Sequence, residues 1–528
     1  MRSRLLERLS ERRFDALVVG GGVNGAAAAA ALAAAGASVA LVERGDFAGL
    51  TSQQSSNLVW GGVKYLQSYE LRLVRSLCKS RNDLIRAFPT RIRATAFLGV
   101  IDKEAALGRH VVGAGAGLYW ILGGGRTALP HVYGPRRAEV IEPLIATPGL
   151  RGAVQYHDAR LVDGDARFVW NFIATANANG AVAVNYVEVQ DAERTPLGWR
   201  VGLLDRRGED RIELDADVIV NAAGPLAPQL GGVLGLPTRH RLVLSKGVHL
   251  VVPRLMSEDR VVAMFDDDNR PFYVIPMHDR SMIGTTDARV ENPDVRVEAE
   301  DRDYLLAQVN RRLALSEPLT ADDVIAERVG VRPLVVPENR RTDETDWLSL
   351  SRRHHVEVDS ARRVVSILGG KLTDCVNVGN KVCKHVSALG VQLRFGNKWY
   401  GEDDGLTRGA VERLAREVLP GRDGPRNADL VDALWRRQGE KSLQVIAAWK
   451  QDPANAEELF PGTQLTRAEL RLMAESELVV SLEDLLRRRT LLSQIRSAEE
   501  LRTNPATMEL ARMVAPDAAQ TAVEELLA

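Results

Sequence analysis

The sequence predicts an α/β protein that ends in a helical region, and three observations carry that prediction. A short apolar run, Leu17-Val18-Val19, leads into a glycine-rich turn and an alanine-rich helix. Between residues 242 and 285, short runs alternate or stay apolar with turn residues between them, as sheet strands do. From about residue 401 the apolar spacing becomes that of helices. The chain has 528 residues, 45% hydrophobic and 26% charged, which excludes a mainly disordered protein. Lys+Arg 69 against Asp+Glu 70 leaves a formal net charge of −1, so no global basic field argues for nucleic acid. Three cysteines, Cys78, Cys375 and Cys383, show neither CxxC nor zinc spacing. No disulfide framework and no metal centre are expected, and a reducing compartment fits.

The first element is the most informative. Residues 16–42 carry no charge and are long enough to span a bilayer. Gly20, Gly21, Gly22, Asn24, Gly25 and Gly36 interrupt them, and most of the rest is alanine. Glu7, Glu11 and Asp15 break up the basic start, which argues against a secretory signal. Strand, turn, helix and strand is the better reading. Gly20-Gly21-Gly22-Val23-Asn24-Gly25 is a G-x-G-x-x-G, residues 26–35 are a strong helix former, and residues 38–42 are a second apolar strand ending at Glu43. Gly20 permits the tight turn, Gly22 lets backbone approach a pyrophosphate, and Gly25 lets helix and strand pack closely. The helix start offers free N–H groups and partial positive charge to phosphates. Glu43 is placed to accept from ribose hydroxyls and argues against NADP. Dinucleotide binding by Gly20, Gly22, Asn24, Gly25 and Glu43 follows; the unit alone does not separate FAD from NAD.

Further motifs follow in order. Residues 51–66 read Thr51-Ser52-Gln53-Gln54-Ser55-Ser56-Asn57-Leu58-Val59-Trp60-Gly61-Gly62-Val63-Lys64-Tyr65-Leu66. Tyr156-His157-Asp158-Ala159-Arg160, Asn221-Ala222-Ala223-Gly224-Pro225 and Lys246-Gly247-Val248-His249-Leu250-Val251-Val252-Pro253 come next. Ile283-Gly284-Thr285-Thr286-Asp287, Gly330-Val331-Arg332-Pro333-Leu334 and Gly369-Gly370-Lys371-Leu372-Thr373 complete the set. Together they resemble the FAD-dependent glycerol-3-phosphate dehydrogenase family. The resemblance implies a Rossmann-like FAD-binding domain interleaved with a β-sheet substrate domain over residues 1–398. An all-helical C-terminal domain over 399–528 would follow. It also implies that Thr51, Ser52, Ser56, Gly61 and Gly62 wrap the flavin and pyrophosphate. Ala223 and Gly224 follow the apolar strand 218–220, where small residues let backbone contact the adenosine half. Gly370 and Thr373 lie between the strand 364–368 and a helix of about residues 373–388. That helix start can aim N–H groups at the flavin pyrimidine, where negative charge builds on reduction.

The reaction implied is oxidation of a secondary alcohol, with the carbinol hydride passing to flavin N5. In the family this converts sn-glycerol 3-phosphate to dihydroxyacetone phosphate. His249 is the candidate base, because a histidine titrates near working pH. Strand alternation would equally place a satisfied structural histidine there. Arg332 and Lys371 match family positions at the substrate phosphate and reacting oxygens, and an arginine fork suits phosphate. Tyr65 and Thr286 complete that wall. Where the family has Lys, His and Arg, this chain has Asn57, Trp60 and Lys64. After Thr373 it reads Asp374-Cys375-Val376 in place of the family's T-Y-R. Cys375 reads as a small buried side chain. The departures keep a second substrate reading open, in which Trp60, Lys64 and Asn57 shape a pocket for another hydroxylated metabolite.

The family passes electrons to quinone at a membrane surface, or to oxygen, and a homodimer is compatible with the sequence. A cytoplasmic protein, peripheral at the inner membrane face, is the expectation. Residues 1–13 carry five arginines with Leu5, Leu6 and Leu9, which reads either as an interfacial amphipathic helix or as a surface helix. Residues 111–125 hold Leu118, Tyr119, Trp120, Ile121 and Leu122, too short to span, and suited to interfacial docking or to the core. In the C-terminal region Thr466/Glu469 and Ser481/Asp484 have capping-box spacing. Pro420, Gly421, Gly424 and Pro425 mark loops, and Arg487-Arg488-Arg489 reads as a solvated face.

Overall fold

Phe14–Val19 lies inside a sheet that has eight strands among the described residues, paired in parallel with Val39–Glu43 on one side and Arg211–Asn221 on the other. A strand covered on both faces has no wet side, so an unbroken apolar run is what such a position selects. Val364–Leu368 and Val182–Asn185 extend the parallel order. His355–Asp359 closes one edge, and Val187–Thr195 with Gly198–Asp205 form an antiparallel extension of Arg211–Asn221. In this computed structural model the described residues are 2–526, apart from 238–239, 267–269, 338–353, 403–404 and 420–424. Pro420, Gly421 and Gly424 therefore lie outside the described residues.

The alanine helix is Val23–Ala34, buried from Gly25 onward. It packs between the helices Asp165–Ala178 and Cys375–Ala388. Methyl-sized side chains are what let three helices and a sheet approach so closely. A Cβ on Gly25 would collide with the Gly20 carbonyl, so the turn and the helix require glycine there.

Among the described residues the second sheet has ten strands. Its expected strands appear as His240–Pro253, Val261–Phe265, Pro271–Met277 and Arg280–Gly284. His240–Pro253 pairs along its length with Ala326–Pro337, and His249 stands opposite both Gly284 and Arg328. Because strand side chains alternate faces, Ser245, Gly247 and His249 share one face with Arg328, Gly330 and Arg332. That register is what brings two separate motifs onto one surface.

From Gly405 the described elements are helices and short helical turns around their own apolar clusters. Thr466 accepts from Glu469 N, and Ser481 and Asp484 cap one another's backbone at 3.2 and 3.0 Å. One expectation fails here. Arg487, Arg488 and Arg489 are buried in the π-helical turn Asp484–Arg489. Asp46 takes Arg488 at 2.8 Å and Arg489 at 2.8 and 2.9 Å, and Arg487 donates to Gln54 Oε1 at 2.7 Å. A basic run looks like a wet helix face only while its carboxylate partner, some 440 residues away in sequence, is out of view. The N-terminal helix Arg2–Ser10 buries Leu5 and Leu9 in the core of the first sheet, so its apolar side is not offered to a bilayer.

Candidate active site

The cofactor crevice is built where the parallel strands end. Gly20, at φ 110°, leaves the strand Phe14–Val19, and a Cβ on it would lie 2.5 Å from the Ala222 carbonyl. The turn carrying Ala222, Ala223 and Gly224 therefore abuts the glycine turn. Asn24 Nδ2 donates to the Gly369 carbonyl at 3.1 Å, which ties the alanine helix to the turn holding Gly370. Ser52 Oγ accepts from Val23 N at 3.0 Å, so it sits beside Gly22 at the helix start. Glu43 is half-buried, and its oxygens accept from Gly21 N at 2.7 Å and Gly45 N at 2.9 Å. Burial raises its pKa, and those two amides oppose the rise. Thr51 Oγ1 donates to the Val331 carbonyl at 2.6 Å. A cavity of about 560 Å³ opens beside the 49–54 segment, lined by Arg44, Thr51, Gln54, Pro225, Asp294 and Val331 among others. Two helix starts and glycine backbone without side chains in the way fit a dinucleotide.

On the adjoining sheet face His249 is 1% exposed, and its Nε2 lies 3.0 Å from Ser56 Oγ. Its Nδ1 has no hydrogen-bond partner among the described residues. Burial, then the charges of Arg328 and Arg332, hold its pKa well below the usual histidine value, so the ring is neutral. Arg332 extends over Gly247, where a Cβ would collide with the guanidinium. Its Nη2 donates to Thr285 Oγ1 at 2.8 Å, and Asp287 Oδ1 lies 3.6 Å from its Nη1. Thr286 Oγ1 accepts from Val248 N at 3.0 Å, so this threonine fixes the wall that carries both groups. His249 and Arg332 thus stand on one face, the first an uncharged ring, the second a cation held by Thr285 and Asp287.

Lys371 holds its ammonium 4.0 Å from the Tyr65 ring centroid and 4.9 Å from that of Trp60. Trp60 N donates to Thr373 Oγ1 at 3.0 Å, which stitches the 58–66 segment to the turn after Lys371. Gly61 N donates to Asp158 Oδ1 at 3.1 Å, and Gly62 takes φ 84° to turn the chain beneath Tyr65. Lys64 is on the exposed side of that turn. Asn57 has a different role from a pocket residue. It is buried at φ 57°, and its Oδ1 accepts from Asp165 N at 3.1 Å, capping the helix Asp165–Ala178. Asparagine tolerates left-handed backbone better than lysine, which accounts for its presence there. Asp374 contacts His354 at 2.5 Å and accepts from Asn377 at 2.6 Å, so the added carboxylate is already engaged; its pKa is lowered, burial being outweighed by His354 and Asn377. Cys375 is buried as expected, and burial pushes its thiol pKa up.

Some polar groups behind the site have no local sequence signal. Asp158 holds Arg81 at 2.6 Å and Tyr119 at 2.8 Å, all three buried beneath Gly61. Arg328 is fully buried and donates to the Gln53 and Ser55 carbonyls and to Asp165.

The profile of FAD dependent oxidoreductases matches residues 15–370. That of the C-terminal domain of alpha-glycerophosphate oxidase matches residues 396–516. The chain is 30% identical to glycerol-3-phosphate dehydrogenase 2 of Mycobacterium tuberculosis, over 98% of this chain and 87% of that protein. It is 26% identical to glycerol-3-phosphate dehydrogenase of Synechocystis, over 91% of this chain and 89% of the other. The glycerol-3-phosphate dehydrogenase of Bacillus halodurans, solved with FAD, superposes with a TM-score of 0.75 at 25% identity, over 99% and 96% of the two chains. With the glycine turn, the cavity and the sheet face already in place, these matches assign the chain to the FAD dependent oxidoreductase family.

Proposed function

We propose that the protein oxidises sn-glycerol 3-phosphate to dihydroxyacetone phosphate. The observation that carries this reading is the pairing of a neutral buried His249 with the Arg332 cation on one sheet face. His249 accepts the proton of the substrate's secondary hydroxyl on the ring nitrogen that Ser56 leaves free, while Ser56 Oγ holds Nε2 and orients the ring. Arg332, held by Thr285 and Asp287, takes the phosphate, for which a planar fork is suited. Lys371, backed by the Tyr65 and Trp60 rings, stabilises the oxygen as its proton leaves. Gly20, Gly22, Asn24, Thr51, Ser52, Ala223, Gly224 and Gly370 would hold FAD, which when bound would supply the acceptor for the carbinol hydride. The names of the relatives support the substrate. Trp60 and the exposed Lys64 favour a second reading, in which another hydroxylated metabolite is the substrate. Anaerobic addition of glycerol 3-phosphate should bleach the flavin while glycerol does not; bleaching by a different alcohol alone would replace the substrate.

The electron acceptor fits a quinone reached at a membrane surface. No helix among the described residues is long and apolar enough to cross a membrane. The helix Arg109–Leu122 instead buries Ala116 and Tyr119 and exposes Val111, Leu118 and Ile121. Exposed Leu107, Leu129 and Val132 lie in the adjoining sequence, among Arg109, Arg126, Arg136 and Arg137. Apolar side chains with basic residues around them suit an anionic bilayer, as at the inner face of a cytoplasmic membrane.

A further inference from the structure

The C-terminal helical domain reaches the loop that carries Ser56. Arg487 donates to Gln54 Oε1 at 2.7 Å, and Arg488 and Arg489 close on Asp46 at the other end of the same segment. Gln494 bonds Arg328, and Arg328 Nη2 donates to Gln53 O at 2.9 Å and Ser55 O at 2.8 Å. Asp165 Oδ2 receives Arg328 at 2.9 Å and both Ser55 N and Ser55 Oγ at 2.7 and 2.8 Å. Ser56, the next residue, meets His249 Nε2 at 3.0 Å. Arg328 also stands directly opposite His249 in the strand ladder. Two buried guanidinium groups, Arg328 and Arg487, share this small space with Asp165. Two cations sharing one carboxylate are costly to bury, so they act best as rigid struts when every donor is aimed at a fixed acceptor. Burial and the neighbouring Arg328 pull the Arg487 pKa down to about 9, in keeping with that crowding.

We infer that the C-terminal domain positions the catalytic base: Arg487 and Gln494, acting through Gln54 and Arg328, hold residues 53–56 so that Ser56 Oγ stays on His249 Nε2. Arg487 and Gln494 are positioning residues, since neither touches the reacting groups. The proposal rests on His249 being the base. The groups facing that imidazole are Ser56 from the loop, Arg328 and Arg332 from the paired strand, and Tyr273 across Gly284. Asp165, Gln494 and Arg487 lie behind Arg328, and Glu483 and Arg488 act on Arg487. When the loop loosens, water reaches the ring and its desolvation is partly lost, so the His249 titration midpoint rises.

The test uses the full-length, FAD-loaded protein with Arg487→Met, Gln494→Ala and the conservative Arg487→Lys. Anaerobic flavin reduction by glycerol 3-phosphate should fall about 10- to 100-fold in the first two, as misplacement of a catalytic group does. The FAD content should stay unchanged and Arg487→Lys should restore part of the rate. ¹⁵N-histidine NMR, with the His249 signal assigned by His249→Gln, should show the midpoint moving to higher pH. Arg467→Ala removes the Arg467–Glu509 pair within the C-terminal domain, away from the loop, and should leave rate and midpoint unchanged. Unchanged rates and midpoint in Arg487→Met and Gln494→Ala overturn the inference, as does an Arg467→Ala effect of equal size. If His249→Ala itself reduces flavin at the wild-type rate, the base assignment has failed and not this linkage alone.

Discussion

His249 illustrates how burial sets a working protonation state. Its folded pKa lies well below the unfolded value of about 6.5, so the ring is neutral through the neutral range. The unfolded chain takes up the proton first as pH falls below that value. The stability this residue contributes is therefore present above about pH 6.5 and lost progressively beneath it. The acid limb of flavin reduction should accordingly lie below the ordinary histidine range. His249→Ala and Lys371→Ala should keep their flavin and slow anaerobic reduction by roughly 10²–10⁴-fold, the range for a lost acid–base group. A His249→Ala protein reducing at the wild-type rate would assign the ring to packing. Asn57 tests the opposite claim, that a departure from the family pattern is structural. Asn57→Ala loses a left-handed position and a helix cap, and should lower stability by about 1–2 kcal/mol in denaturant titration. The KM for glycerol 3-phosphate should not move; a large rise in KM would return Asn57 to the substrate pocket.

At the scale of elements, local pattern was legible and long-range pairing was not. The apolar run before Gly20, the alanine helix and the four strands between 240 and 285 each announce themselves within about a dozen residues. Their period reports the burial of a face. Arg487, Arg488 and Arg489 gave no such report, because their partners Asp46 and Gln54 lie more than 400 positions away. Arg328, Asp158 and Asn57 likewise meet partners from other elements, so their local sequence did not report their burial. For both the N-terminal helix and the segment 111–125 the sequence left docking at a membrane surface and ordinary burial open. Only packing separates them: Leu5 and Leu9 are covered, whereas Val111 and Ile121 are 58% and 64% exposed. Replacing both with glutamate should abolish flotation with anionic liposomes while preserving anaerobic flavin reduction. Retained flotation would send the docking proposal elsewhere on the surface.

Across the whole molecule, the motifs that carry chemistry come from three places in the chain and meet by sheet register. The glycine turn and its helix begin the parallel sheet. Residues 245–249 and 328–332 share a face of the second sheet because their strands pair antiparallel along their length. Lys371 arrives from the turn that follows Val364–Leu368, the strand beside Arg211–Asn221. The order of motifs was visible in the sequence, but their meeting depends on pairings that no local period encodes. The proposed substrate leans most on one residue, since Arg332 is the cation that shares a sheet face with the proposed base. The most direct test is stopped-flow flavin reduction without oxygen, comparing glycerol 3-phosphate with glycerol in wild-type and Arg332→Ala proteins. Fast, saturable bleaching by glycerol 3-phosphate alone is expected in the wild type. In Arg332→Ala the preference should collapse by at least about tenfold, the loss of roughly 1.4 kcal/mol or more of charge-assisted binding. Equal reduction by both compounds in the wild type, or an undiminished preference in Arg332→Ala, would contradict the account.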